Sequence, residues 1–277
     1  MQKNSHAIVL TAFLVFALSA PMRLAAQTLK QLNEETITKF DKVVESGQIP
    51  QELQALFTQL DDKNEVLRIK TVQALSLVGG PMAALLLRRA IDDDVERAAA
   101  VRSEAAKGLG DIGGRQALET LGIGITDRNV TVRLNTVEAL RWAGTVFAVP
   151  FIQEALRNDK ALDVRLKAVH MLRKIGTQFS TQPLQEALME DPDLGLRLAA
   201  ADALGEIGKK ERQVASLLGE ALNIEKDSSV RLEIVKSLGL VRERAGLPFL
   251  AIAMANDKNL TVRMRATEIY GRVLGLQ

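Results

Sequence analysis

The sequence predicts an all-α protein, an α-solenoid of about seven helical hairpins. Three observations predict it. An apolar residue followed by arginine recurs at Leu67-Arg68, Val101-Arg102, Val132-Arg133, Val164-Arg165, Leu196-Arg197, Val230-Arg231 and Val262-Arg263, and the arginines step by 34, 31, 32, 32, 34 and 32 residues. Counting from each arginine, positions −1, +3, +4, +7 and +10 carry apolar or small residues, a helical spacing that covers one wide face. The composition agrees: 47% of residues are hydrophobic but only 4% aromatic, so Leu, Ala, Val and Ile supply the core, a mix that closely packed helices favour.

Taken in chain order, the first element is a leader. Residues 1–6 hold Lys3 and no acid, residues 7–20 form an apolar run, and residues 21–26 end in Ala25-Ala26. This is the three-part layout of a secretory signal peptide, with the cut expected after Ala26. The run is shorter than the roughly 20 residues of a spanning helix, so cleavage is expected over anchoring. Removing residues 1–26 takes away Lys3 and Arg23 and leaves 34 basic against 34 acidic residues. A neutral chain has no electrostatic drive toward nucleic acid or an anionic membrane surface. His170 becomes the only histidine, and with no cysteine anywhere, disulfides, thiolate zinc sites and cysteine nucleophiles are excluded.

Residues 27–50 are expected to form an N-terminal capping helix that shields the first hairpin, and residues 51–277 to form the repeat domain. Within each repeat the second helix carries the arginine. Its start is marked at −4 by Asn64, Asn129, Asp193, Asp227 and Asn259, which cap a helix N-terminus, while Ala98 and Ala161 break the pattern. Its end is marked at +11 by Gly79, Gly113, Gly144, Gly176 and Gly208, expected as left-handed C-caps, with Arg242 and Leu274 departing. First helices are expected over Gln51–Leu60, Gln116–Ile125, Pro183–Met189 and Leu247–Ala255. One such hairpin cannot bury both faces of its helices, so copies stack and stability becomes a sum over neighbours.

An acid at −6 (Asp62, Glu96, Asp127, Asp159, Asp191, Glu225, Asp257), then the apolar-Arg pair, then a small-residue run ending in glycine, as in residues 197–208, resembles HEAT repeats. The short bacterial HEAT-like variety, of the phycobilin-lyase type, is the most similar. The resemblance implies a ladder in which Arg68, Arg102, Arg133, Arg165, Arg197, Arg231 and Arg263 pair with the acids along the stacked second helices. Each arginine sits at the centre of the apolar face, where an unpaired guanidinium is costly. The resemblance also implies a concave surface lined by the second helices and used for binding.

Two motifs are decoys. Gly108-Leu109-Gly110-Asp111-Ile112-Gly113 has dinucleotide-binding spacing but no preceding strand, and its glycines fall in repeat columns. Asn129-Val130-Thr131 and Asn259-Leu260-Thr261 have the form of glycosylation sequons, but both asparagines lie in the capping column. Catalysis has little support, because no serine is marked as a partner of His170 and no pair of acids stands out.

The face opposite the arginines, columns +2, +5 and +9, is the candidate binding surface. Trp142, the only tryptophan, lies there, and Arg141 and Arg173 occupy a neighbouring column that is small elsewhere. Trp and Arg commonly anchor interfaces. Arg141, Trp142, Lys167, His170, Arg173 and Lys174 are therefore the candidate partner-binding residues, a basic-aromatic patch suited to an acidic peptide or other anionic group; the competing reading is a tryptophan packed on the next loop beside solvated cations. The function expected is an exported, periplasmic or secreted scaffold or adaptor that binds a protein or peptide partner, with no catalytic role, cofactor or metal. The alternatives are an enzyme-associated or carbohydrate-binding subunit, or a scaffold anchored by an uncleaved first helix.

Overall fold

A computed structural model describes residue 35 and residues 38–275; the expected leader lies outside the described residues. Among the described residues the regular structure is helical with no strand, and no helix is long and apolar enough to cross a membrane. They divide into two compact units at Ala155–Leu156. In the first, a helical stretch over residues 38–45 is followed by α1 (Gln51–Gln59), α2 (Glu65–Val78), α3 (Gly80–Leu86), α4 (Arg88–Ile91), α5 (Ala99–Ile112), α6 (Gly114–Gly124) and α7 (Val130–Gly144). A 3-10 turn, Thr145–Ala148, leads into α8 (Val149–Asn158), which ends in the second unit. That unit continues with α9 (Leu162–Ile175), α10 (Gln178–Glu190), α11 (Leu194–Gly208), α12 (Val214–Ile224), α13 (Ser228–Leu238), α14 (Leu247–Asn256) and α15 (Leu260–Leu274). With α3 and α4 counted as one first helix broken at Leu87, these make seven hairpins, and the fold is an all-α solenoid.

Each second helix starts for a local reason. Asn64 Oδ1 accepts the N–H groups of Val66 and Leu67 at 3.0 and 3.4 Å, and Asn129, Asp193, Asp227 and Asn259 cap α7, α11, α13 and α15 alike. Ala98 and Ala161 hold the same extended backbone without a side-chain cap. They are held from two residues upstream, where Glu96 and Asp159 accept the Ala98 and Ala161 N–H groups at 2.7 and 2.8 Å. The −6 acid makes this bond in every repeat, so it fixes the entry to the helix whether or not a cap residue follows.

In five repeats the same acid also receives an arginine from the preceding repeat. Arg102 donates through Nε to Asp127 Oδ2 at 2.6 Å and through Nη2 to Asp127 Oδ1 at 2.9 Å. Its Nη1 turns back to the carbonyls of Glu96 and Arg97 in its own loop, at 2.8 and 3.0 Å. Arg68 meets Glu96 in this way, Arg165 meets Asp191, Arg197 meets Glu225 and Arg231 meets Asp257. Arg133 and Arg263 make the loop-carbonyl bond as well, to Asp127 and Asp257. Around these rungs the −1 residues from Val101 to Val262 and the +7 leucines from Leu75 to Leu238 are buried.

Helix ends follow the glycine column less closely than expected. Gly176 alone of the five is a left-handed C-cap, at φ 62° and ψ 29°. Gly79 and Gly113 have positive φ but ψ near 180°, and each is followed by a second glycine of positive φ, so a two-residue link passes at once into the next helix. Gly144 and Gly208 have no positive φ; Gly208 stays helical. Close approach explains them, since a Cβ on Gly208 would lie 2.9 Å from Val241 Cγ2 and one on Gly144 3.1 Å from Leu118 Cδ2. The helix α15 closes instead on left-handed Gly275. Pro183, read as a helix start, lies inside α10, whose first turn runs ahead of it with Thr181 Oγ1 donating to the Gln178 carbonyl.

The stretch 38–45 runs along the first helices of three hairpins. Phe40 meets Phe57 of α1 edge-on at 6.2 Å, the Arg88 guanidinium of α4 lies 5.0 Å from the Phe40 ring, and Lys39 hydrogen-bonds Gln116 of α6.

Two predictions follow from the rungs. The Arg102 and Asp127 side chains are each 1% exposed, so Asp127→Ala strands a buried charge and should lower the unfolding free energy in denaturant titrations by about 3–5 kcal/mol. Asp61→Ala, at the exposed pair with Arg89, should change it by less than about 1 kcal/mol. The second concerns acid. Burial pushes the Asp257 carboxyl up, but hydrogen bonds from Arg231 and the Asn259 N–H and the charges of Arg231 and Arg263 outweigh it and hold it below the usual range. A depressed folded value means that this rung's stability is present above about pH 3.9, the ordinary aspartate value, and is lost as pH falls through the lower folded one. Thermal unfolding followed against pH should show this acid limb, and it should be shallower in Asp257→Asn.

Candidate functional site

At about 100° per residue, columns +2, +5 and +9 stand roughly 140–200° from the arginine. They face away from the core and form the accessible side of the second helices.

In the first unit this side carries an exposed aromatic. Trp142 on α7 is 65% exposed, and the Arg141 guanidinium lies 4.0 Å from the indole ring centroid. The contact places a half-buried cation against the exposed indole, an aromatic surface with a positive neighbour. Trp142 is thus not packed away on the following loop. Leu77 on α2 occupies the same column and is 89% exposed. Between them polar side chains pair across repeats, as where Gln73 Nε2 donates to Glu104 Oε1 at 2.8 Å.

Lys167, His170, Arg173 and Lys174 lie on α9 in the second unit, so the six candidates form two groups, each with its own surroundings. Arg173 is paired with Asp202 of α11, Nη1 to Oδ2 at 3.0 Å, with both side chains partly exposed. Lys167 and His170 are half-buried and engaged by neighbouring groups. Lys174 is exposed and, among the described residues, has no ion pair. The positive charge expected on α9 is therefore partly compensated. Asp202 was legible in principle, because column +8 of one repeat approaches the next helix at the turn carrying its +5 residue.

Two other features went unmarked in the sequence, and a third was marked there as a decoy. Asp92, Asp93 and Asp94 bring carboxylates within 4.8 Å of one another in the loop after α4. Two of the three are already paired: Asp92 with Arg88 at 3.2 Å and Asp93 with Arg128 at 3.7 Å, and Asp92 also accepts the Asp94 N–H. In the second unit a depression of about 660 Å³ opens between the α12–α13 and α14–α15 loops, with Ile224, Lys226, Ile252 and Lys258 on its walls beside the Arg231–Asp257 rung. Finally, the 108–113 glycine motif is helical in α5. A Cβ on Gly108 would stand 1.9 Å from Ser76 Oγ, and one on Gly110 3.0 Å from Ala139 Cβ. The glycines let three second helices approach closely. Nothing in that arrangement cradles a phosphate. The sequon residues Asn129 and Asn259 likewise spend their side-chain oxygens on helix caps.

Buried rungs, small-residue helix contacts and an accessible face of stacked and paired side chains define a helical-repeat scaffold. The sequence matches the family described as HEAT repeats over residues 53–123, 96–173, 123–204, 149–233 and 181–271, and the chain belongs to that family. No curated protein sequence matches it. Among solved structures it is similar to the CpcE–CpcF complex of phycocyanin lyase from Nostoc sp. PCC7120 (22% identity, TM-score 0.43, covering 80% of this chain and 91% of that one). It is also similar to human deoxyhypusine hydroxylase (21%, 0.40, 90% and 98%) and to Escherichia coli YibA (20%, 0.40, 92% and 98%).

If the glycines of α5 serve helix approach, Gly110→Val should force α5 from α7 and destabilise the protein by about 1–3 kcal/mol. Denaturant titration would show it, whereas loss of a nucleotide-dependent shift in melting temperature would contradict it.

Proposed function

We propose that this chain is an exported scaffold or adaptor that binds a protein or peptide partner on the accessible side of its second helices, without catalysis and without a cofactor. The observation that carries the reading is Trp142, exposed and stacked under Arg141. An indole left mostly in water buries little apolar surface in the folded chain, while at an interface it offers a large rigid contact and the adjoining guanidinium offers planar recognition of carboxylates. The interior rungs hold the solenoid independently of this face, so its residues are free to serve recognition.

The charge pattern narrows the partner. Each unit offers its own cation to an acidic group: Arg141 beside Trp142 in the first, and Lys174 in the second, where Arg173 already has Asp202. The partner is thus a protein or peptide with an apolar or aromatic anchor flanked by acid. Export rests on the three-part leader expected in residues 1–26.

The test is partner capture from secreted or periplasmic material, followed by titration. Trp142→Ala should weaken binding about 30-fold or more, the effect of losing an anchoring residue, and Lys174→Glu should weaken it in a salt-dependent way. Unchanged capture by folded Trp142→Ala protein would overturn the binding surface. Mass spectrometry of the native protein should find an N-terminus at Gln27; a chain beginning at Met1 would overturn export.

A further inference from the structure

We propose that the two ends of the arginine ladder join copies of this chain head to tail, Arg263 of one copy taking Asp62 of the next. The inference stands on the ladder and does not depend on the Trp142 surface.

The tail end is open. Arg68, Arg102, Arg165, Arg197 and Arg231 each place Nε on a carboxylate of the following repeat. Arg263 Nη1 makes the usual bonds to the Asp257 and Lys258 carbonyls, but among the described residues its Nε and Nη2 meet no acid. Beside it, among the described residues, the stacking face is uncovered. At +4, Val72, Ala106, Val137, Val169, Ala201 and Val235 are at most 3% exposed, whereas Thr267 of α15 is exposed and the adjacent Met264 is 64% exposed.

Among the described residues the head end is open in the complementary sense. Asp62 accepts the Asn64 N–H as every −6 acid does, yet among the described residues no arginine reaches its carboxylate. At −1 the later repeats have residues at most 1% exposed, but Leu67 is only half-buried, and Val78 on the same side of α2 is 58% exposed. The ring and hydrogen-bond contacts of Phe40 and Lys39 are with α1, α4 and α6.

The columns that would meet also match. Inside the molecule a +8 residue packs on the +6 residue of the next repeat, as Gly110 does on Ala139 and Gly205 on Ser237. The unused pair is Gly271 at +8 and Ala74 at +6, a glycine and an alanine as in the first example. Likewise +5 meets +2, as Gln73 meets Glu104, and here Glu268, which also pairs with Arg265 on its own helix, would stand by Lys70 of opposite charge. The rung, the close contact and the polar pair thus recur together, so the face that fits the tail of one copy is the head of another. Such a contact is heterologous, so it does not stop at two chains unless the assembly closes on itself.

Sedimentation of the full chain over a concentration series tests this. The wild type should rise above single-chain mass as concentration increases. Arg263→Glu and Asp62→Arg should each weaken association about tenfold or more, with helical circular dichroism retained. An equimolar mixture of the two variants should associate again, because Arg263 of one then faces Asp62 of the other. Met264→Glu, which alters the tail face without touching a rung, should also prevent association, and it decides the matter should Arg263→Glu unfold the last repeat. Trp142→Ala should leave association unchanged. A wild type that keeps single-chain mass at every concentration overturns the proposal, as does association that charge reversal and Met264→Glu leave unaltered.

Discussion

A guanidinium taken out of water must find acceptors for its donors, and in this molecule the acceptors tie three things together. Arg102 spends Nη1 on the loop that begins its own helix, and Nε and Nη2 on the acid that begins the next one. That acid in turn holds the N–H of the residue preceding its helix. Loop shape, helix start and repeat stacking are therefore one network, and any part that moves leaves a buried charge short of partners. The carboxylate's grip raises the proton affinity of Arg102 further above that of a free guanidinium, against the opposing effect of burial. This constraint accounts for the period: the step between arginines varies by only a few residues because each must reach an acid fixed to the next loop.

What a sequence displays as columns was legible, and what depends on contacts between columns was not. The arginines, acids and cap residues stand at constant offsets, and their roles follow from donor and acceptor chemistry at those offsets. The glycine column misled because one residue type answers two needs. Gly176 is present for its backbone angles and Gly208 for the space beside Val241, and a column cannot say which. Pro183 misled because proline marks a helix start only statistically, and the first turn of α10 is held together ahead of it. Trp142 stood out in sequence as an unusual residue in a polar column, but the compensation of Arg173 by Asp202 needed the approach of two helices in space.

The division of labour between faces explains why a binding role is compatible with this economy. The side of each second helix that holds the rung is fixed by burial, and the sides that meet neighbouring repeats are fixed by close contact, down to positions where a single Cβ would collide. Only the remaining side is free of stability requirements. Side chains there differ from repeat to repeat: Leu77, Asp111 and Trp142 share one column. Substitution on this side changes what the protein touches and leaves the solenoid intact, which lets a repeat array acquire partners without a new fold.

The rungs are equivalent in chemistry but not in environment, and this sets where the array is firm. The Arg102–Asp127 pair is wholly enclosed, whereas Arg68–Glu96 nearer the first hairpin leaves its arginine 15% exposed. In a stack whose stability is a sum over neighbours, a terminal hairpin has one stacking partner where an interior one has two. Opening an end therefore breaks one stacking interface, while opening the middle breaks two. Local unfolding should enter from the ends, and a ladder in which every pair spans two repeats makes each hairpin the guarantor of the next.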